Sequence, residues 1–79
     1  MTIKVKVAYF GILSEQRGLS EEVVETTYSK APELYHCLAR QHNFTLAISQ
    51  VQFAVNDKLG NQTLKDGDRV DFLPPFVGG

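Results

Sequence analysis

Residues 3 to 9 alternate, with Ile3, Val5, Val7 and Tyr9 on one side and Lys4 and Lys6 on the other. A period of two predicts a half-buried strand. Gly11 to Ser20 reads as a loop with a short helical turn around Ser14 to Arg17, punctuated by Gly18. Glu22 to Tyr28 is rich in β-branched residues and predicts a second strand, antiparallel to the first. Residues 31 to 42 carry the helical pattern. Ala31, Leu34, Tyr35, Cys37, Leu38 and His42 recur at three- and four-residue spacings, Pro32 sits in the tolerant first turn and Asn43 serves as the stop. Phe44 to Ile48 fits a strand or an ordered connection equally well. Val51, Phe53 and Val55 give a clearer strand, Asn56 to Gln62 a polar turn region, and Lys65-Asp66-Gly67-Asp68 a tight turn in which Gly67 takes positive φ. Arg69 to Phe72 alternates into a last strand.

The element order is strand, strand, helix, strand, a short strand, strand. A single twelve-residue helix is marginal alone and must dock on a sheet. The expected class is α+β, with a mixed sheet of four to five strands and the helix packed on one face. The β-grasp of ubiquitin is the best-known small solution, although periodicity alone does not choose it. Residues 1–73 are expected to form that domain and residues 74–79 an extended tail.

A chain of 79 residues buries only about 60% of its unfolded surface. One modest core leaves no room for a large cleft, which favours a carrier or binding module over a self-contained enzyme. Apolar residues at 43%, charged residues at 22% and a net charge of −1 are ordinary for a globular protein. No basic patch points to nucleic acid, no polybasic stretch to anionic membranes, and no apolar run approaches the length of a membrane span. The expected location is the cytoplasm, and the lone Cys37 fits a reducing compartment.

After Phe72 and Leu73 the chain changes character. Pro74 and Pro75 end the strand and favour an extended path, Phe76 and Val77 are apolar, and Gly78 and Gly79 follow. Six residues reach about 20 Å. An arm without charged side chains suits threading into a narrow channel of another protein. Glycine lets the backbone approach catalytic groups closely. At a glycine usage of about 7%, a chance Gly-Gly end is roughly a 0.5% event. The terminal Gly79 carboxylate is ionised at pH 7 and a poor electrophile, so chemistry there requires activation, for which acyl-adenylation by ATP is the usual route.

These residues resemble the MoaD family, the small subunit of molybdopterin synthase. The resemblance is carried by the tail Phe72-Leu73-Pro74-Pro75-Phe76-Val77-Gly78-Gly79, by Leu64-Lys65-Asp66-Gly67-Asp68-Arg69-Val70 before it, by Val55-Asn56, and by Val5-Lys6-Val7-Ala8-Tyr9-Phe10. It spans essentially the whole chain. The segment between Asn56 and Leu64 is a few residues shorter than usual, Ser14 stands where a basic residue is frequent, and Phe76 is bulkier than the common small aliphatic. The resemblance implies an ATP-using, E1-like enzyme that adenylates Gly79. A sulfur donor protein then converts the adenylate to a thiocarboxylate. The carrier docks on the large synthase subunit in a heterotetramer, inserting Pro74 to Gly78, and sulfur passes to a pyranopterin precursor. The chain would be a sulfur-donating subunit with no bound cofactor of its own. Phe10, Phe72 and Leu73 are the candidate partner-interface residues.

Other reactive residues read more simply as structural. Cys37 falls beside Leu34 and Leu38 and is expected to be a buried thiol. His36 points about 100° away from it around the helix, and His36 and His42 are expected at the surface or its boundary. Asp66 and Asp68 flank Gly67 as turn residues. Two alternatives remain open: a thiamine-type sulfur carrier or ubiquitin-related protein modifier using the same terminus, and a β-grasp interaction module without acyl chemistry. Adding one residue beyond Gly79 separates them in a reconstituted sulfur-transfer assay, abolishing activity under either carrier reading and changing little for a plain interaction module.

Overall fold

The computed structural model describes residues 1–60 and 62–75. The elements are β1 (Ile3–Tyr9), α1 (Ile12–Arg17), β2 (Glu21–Thr26), α2 (Ala31–His42), β3 (Gln52–Val55), β4 (Lys58–Leu59) and β5 (Arg69–Leu73), with a 3-10 turn over Ile48–Gln50 before β3. They build one five-stranded mixed sheet in the order β2-β1-β5-β3-β4. β1 pairs antiparallel with β2 and parallel with β5, and β3 runs antiparallel to both β4 and β5. α2 covers one face. This is the expected α+β β-grasp architecture.

β1 and α2 have the expected boundaries. The inward positions of β1 (Val5, Val7 and Tyr9) meet Leu34, Tyr35 and Leu38 of α2, Val55 of β3, and Val70 and Phe72 of β5 in a single core. Five rings form its wide end. Tyr35 lies 5.4 Å from Phe72 and 5.8 Å from Phe44 between centroids, while Tyr9 and Phe53 meet Phe72 edge-on at 5.8 and 5.5 Å. Tyr35 spans this cluster without stranding its hydroxyl, which donates to the Leu46 carbonyl at 2.7 Å. Phe44 to Ile48 is therefore an ordered connection and not a strand. Its side chains and carbonyls serve the aromatic cluster instead of a sheet ladder.

Several boundaries shift for local reasons. α1 is longer than expected, because buried Leu13 anchors it and Gly18 closes it in the left-handed conformation, φ 81. β2 runs Glu21–Thr26, and the Thr26 hydroxyl ends it by accepting the Tyr28 N–H at 3.0 Å. Asn56 and Asp57 both take positive φ (52 and 69), the two-residue turn that matches strand twist and reverses β3 into the short β4. Cys37 is half-buried where a buried thiol was expected. At 3.6 residues per turn it sits about 110° from the centre of the core stripe, and the Gln41 side-chain amide lies 3.7 Å from its sulfur.

The Asp-Gly-Asp turn clamps the sheet. Asp66 accepts the Lys4 N–H at 2.8 Å, and Gly67, at φ 89, donates to the Lys4 carbonyl at 2.7 Å. Asp68 accepts from the Lys65 N–H at 2.8 Å and from the Asn56 side chain at 3.0 Å, while Asn56 accepts the Arg69 N–H at 3.0 Å. The two carboxylates are thus structural, and the Asn56 side chain ties the β3–β4 turn to the start of β5.

Phe72 has 0% of its surface exposed at the centre of the aromatic cluster. Phe72→Ala is expected to cost about 4 kcal/mol, and a 79-residue domain holds on the order of 4–12 kcal/mol in total. Urea unfolding should show the midpoint of the variant lowered by about a third or more, because the midpoint falls in proportion to stability.

Candidate functional site: the rim where β5 ends

Because β1 and β5 are parallel, with Tyr9 opposite Phe72, both strands finish at the same end of the sheet. Phe10 and Leu73 leave them side by side. Tyr9 and Phe72 point into the core, so Phe10 and Leu73 point to the helix-free face. Phe10 is 40% exposed, Leu73 and Pro74 are half-buried, and Pro75 is exposed. With Ser49, Gln50 and Gln52 they line a wide, open groove of about 980 Å³.

Three of the expected interface residues therefore divide. Phe10 and Leu73 present surface at the rim. Phe72 does not: it is wholly enclosed, and its contribution is to anchor the strand that delivers the tail. Pro74 and Pro75 are the described part of that tail. Phe76, Val77, Gly78 and Gly79 lie outside the described residues.

Beyond the rim, the helix-free face carries charge. Lys6 and Glu21 are paired at 3.1 Å across β1 and β2. Arg69 reaches the same Glu21 at 3.9 Å and donates through Nε to Asp71 at 3.0 Å. Asp71, 9% exposed, shares a row with Ala8 and Ala54. The small neighbours leave space for its carboxylate, and Arg69 satisfies it. Pairing of both signs gives this face a polar centre bounded by Leu73 and Phe10 on one side and by exposed Val23 and Leu59 elsewhere. Arg69 and Asp71 read in the sequence only as the polar half of an alternation, without their pairing. Their two-residue spacing on one strand was the available signal.

A second polar cluster holds α1 against the sheet. Arg17 donates through Nε and a terminal nitrogen to the two carboxylate oxygens of Glu22, both at 2.8 Å, and the Tyr9 hydroxyl donates to the same group at 2.6 Å. The Arg17 hydrogen bonds, joined by that of Tyr9 and opposed by burial, hold the Glu22 carboxyl below its usual range. Burial first, and then Glu22, push the Tyr9 phenol well above its ordinary value. On the other flank of α1, Gln16 exchanges two hydrogen bonds with Thr45, at 2.9 and 3.2 Å.

Neither cluster resembles a catalytic centre. His36 is exposed and His42 half-buried, as expected of surface and boundary positions. Among the described residues no three His, Cys, Asp or Glu side chains gather as a metal site, and no helix is long and apolar enough to cross a membrane. What the domain offers is a rigid body with an apolar rim and an exit for the tail.

Those features define a ubiquitin-like β-grasp domain. The sequence profile of the ThiS family matches residues 7–79, and the chain belongs to that family of ubiquitin-fold sulfur carriers. Among solved structures it is similar to a Pyrococcus furiosus protein assigned as subunit 1 of molybdopterin converting factor, with 28% identity, a TM-score of 0.74, and coverage of 92% of this chain and 98% of that one. It is also similar to a chain in the complex of subunits 1 and 2 of molybdopterin-converting factor from Helicobacter pylori, at 30% identity and TM-score 0.62, covering 98% and 100% of the two chains. A chain of the BexX/CysO complex of Amycolatopsis orientalis matches at 25% identity and TM-score 0.66, covering 95% and 99%. No curated protein sequence is a significant match.

The Glu22 carboxyl is held low in the fold, so its contribution is present above the unfolded value of about 4.3 and is lost as pH falls through the lower folded value. Glu22→Gln should cost about 2 kcal/mol at pH 7, through loss of hydrogen bonds to a charged acceptor. Urea titrations of both proteins across pH 7 to 2 should show the gap closing below about pH 4.3.

Proposed function

We propose that this chain is the sulfur-carrying small subunit of a molybdopterin synthase. The observation that carries the reading is the delivery of the Pro74-Pro75 segment, by the central strand β5, to an exposed apolar rim on a domain whose described residues form no metal-binding cluster of their own. The reactive group is then the Gly79 carboxylate. Adenylation by an E1-like partner, at the expense of ATP, makes its carbonyl electrophilic. Sulfide-level sulfur released by a sulfur donor protein attacks that carbonyl and displaces AMP, leaving the thiocarboxylate, whose sulfur goes to a pyranopterin precursor in molybdenum cofactor biosynthesis while the Gly79 carboxylate is regenerated. Residues 1–73 act as the handle and residues 74–79 as the arm. Phe10 and Leu73 form part of the surface that meets the large subunit, in a cytoplasmic heterotetramer.

Two findings support this pathway over others. The neighbours at 28% and 30% identity are described as molybdopterin converting factor subunits, one of them in complex with its second subunit. The Pro-Pro before the last four residues also matches the resemblance that the sequence carries. The match to the ThiS family supports a second reading, a thiamine-type carrier with the same terminal chemistry and a different acceptor.

A chain prepared with a thiocarboxylate at Gly79, mixed with the large synthase subunit and pyranopterin precursor, should yield the dithiolene product. The same chain with an ordinary carboxylate should yield none. Product formation with a thiazole-forming system, and none with the pterin precursor, would transfer the protein to the thiamine pathway. Phe10→Asp should weaken association with the large subunit at least tenfold in titration calorimetry while leaving the unfolding midpoint nearly unchanged, because Phe10 contributes surface and not core.

A further inference from the structure

We propose that Gly11 is a positioning residue for the tail, the seat against which Pro74 rests and from which the arm takes its direction. Resting on the carrier reading above, this deepens it.

Gly11 sits at φ 57, ψ −129, between the end of β1 and α1. The Leu13 N–H donates to the Phe10 carbonyl at 3.1 Å, closing a tight turn over Gly11. A side chain here meets two obstacles. The positive φ disfavours any L-residue with a Cβ. A Cβ built on Gly11 would also lie 3.2 Å from Cγ of Pro74, inside ordinary contact distance. The missing side chain thus does more than permit a turn: it lets the first tail residue lie close against the loop.

The seat is built to stay in place. The Ser14 hydroxyl donates to the Gly11 carbonyl at 2.8 Å. Leu13, fully buried, fastens the start of α1 to the core. Gln16 ties α1 to Thr45, and Arg17 ties it to Glu22. A six-residue helix therefore has an anchor at each turn, more than its own stability would warrant. What rests on it is a proline with φ already fixed.

Leverage makes this contact consequential. Six residues can span at most about 20 Å, so a tilt of about 10° at Pro74 can displace the far end by up to roughly 3 Å. Misplacing a reacting group by about 1 Å can cost on the order of 10²-fold in rate. The contact therefore acts chiefly on the direction in which the terminus is delivered, while Phe10 and Leu73 supply the exposed apolar surface for docking.

The test compares Gly11→Ala, Pro74→Gly and the double variant with the unsubstituted chain, each carrying the Gly79 thiocarboxylate. Gly11→Ala is expected to bind the large subunit with Kd unchanged within about twofold while the single-turnover rate of sulfur delivery falls at least tenfold. In the Pro74→Gly background, where the ring is gone, the same substitution should change the rate less than threefold, because the two residues are coupled. Equal losses in both backgrounds, or a fall in binding that tracks the fall in rate, would assign Gly11 a purely structural role. A nuclear Overhauser cross-peak between the Gly11 Hα and the Pro74 ring is expected in the unsubstituted chain, and its absence overturns the seat whatever the transfer assay shows. Failure of the unsubstituted thiocarboxylate to deliver sulfur, with that cross-peak present, refutes the pathway and not the contact. Chemical shifts of Leu73 and Pro75 then decide whether Gly11→Ala redirects the exit, and unmoved shifts overturn the proposal.

Discussion

The parallel pairing of β1 with β5 is the constraint on which the rest of this structure depends. A parallel pair cannot be closed by a hairpin, and here its connection is the remainder of the domain: β2, α2, β3 and β4 all lie between the two strands in sequence. Pairing the last strand with the first therefore commits the whole chain. Phe72 fixes the register, lying opposite Tyr9 on one side and Phe53 on the other. A slip of one residue would turn Phe72 to the open face and bring Asp71 into the core, which apolar burial and charge desolvation both oppose. The strand that leads to Pro74 is thus also among the most enclosed, and it ends beside Phe10.

Polar contacts define the ends of that pair. At its beginning, Asp66, Gly67 and Asp68 bind Lys4, Lys65 and Asn56. At its end, the Gly11 turn accommodates Pro74, and the Arg17–Glu22–Tyr9 cluster secures the helix that follows that turn. Both ends use glycine where φ is positive, and both rely on hydrogen bonds to carboxylates, which are stronger than neutral ones. In a domain too small for a thick core, such contacts add to what packing alone supplies.

Much of this was legible in the sequence because it rested on strong periodic signals. β1, α2 and the Gly67 turn follow from alternation, three- and four-residue spacing and glycine chemistry. The β-grasp itself was not readable from periodicity, which says nothing about strand order. It came from the resemblance carried by the tail and the Leu64 to Val70 segment. Phe72 was misread because hydrophobicity next to an exposed tail does not reveal which face of the strand it occupies. The register with Tyr9 does. Cys37 was placed too deep because a residue on the edge of a helical stripe looks apolar-phased in projection. The seat at Gly11 could not be anticipated at all, since it depends on a contact between residues 63 positions apart in the chain.

The proposed division of labour is between a folded handle and a terminus on which partner enzymes act. The central claim is that Gly79 is the reacting group, and intact-mass analysis after incubation with ATP, an E1-like enzyme and a sulfur donor tests it most directly. A single oxygen-to-sulfur exchange, localised by fragmentation to Gly79, is the expected result. An unchanged mass under conditions that charge a known carrier, or sulfur located on Cys37, would contradict it.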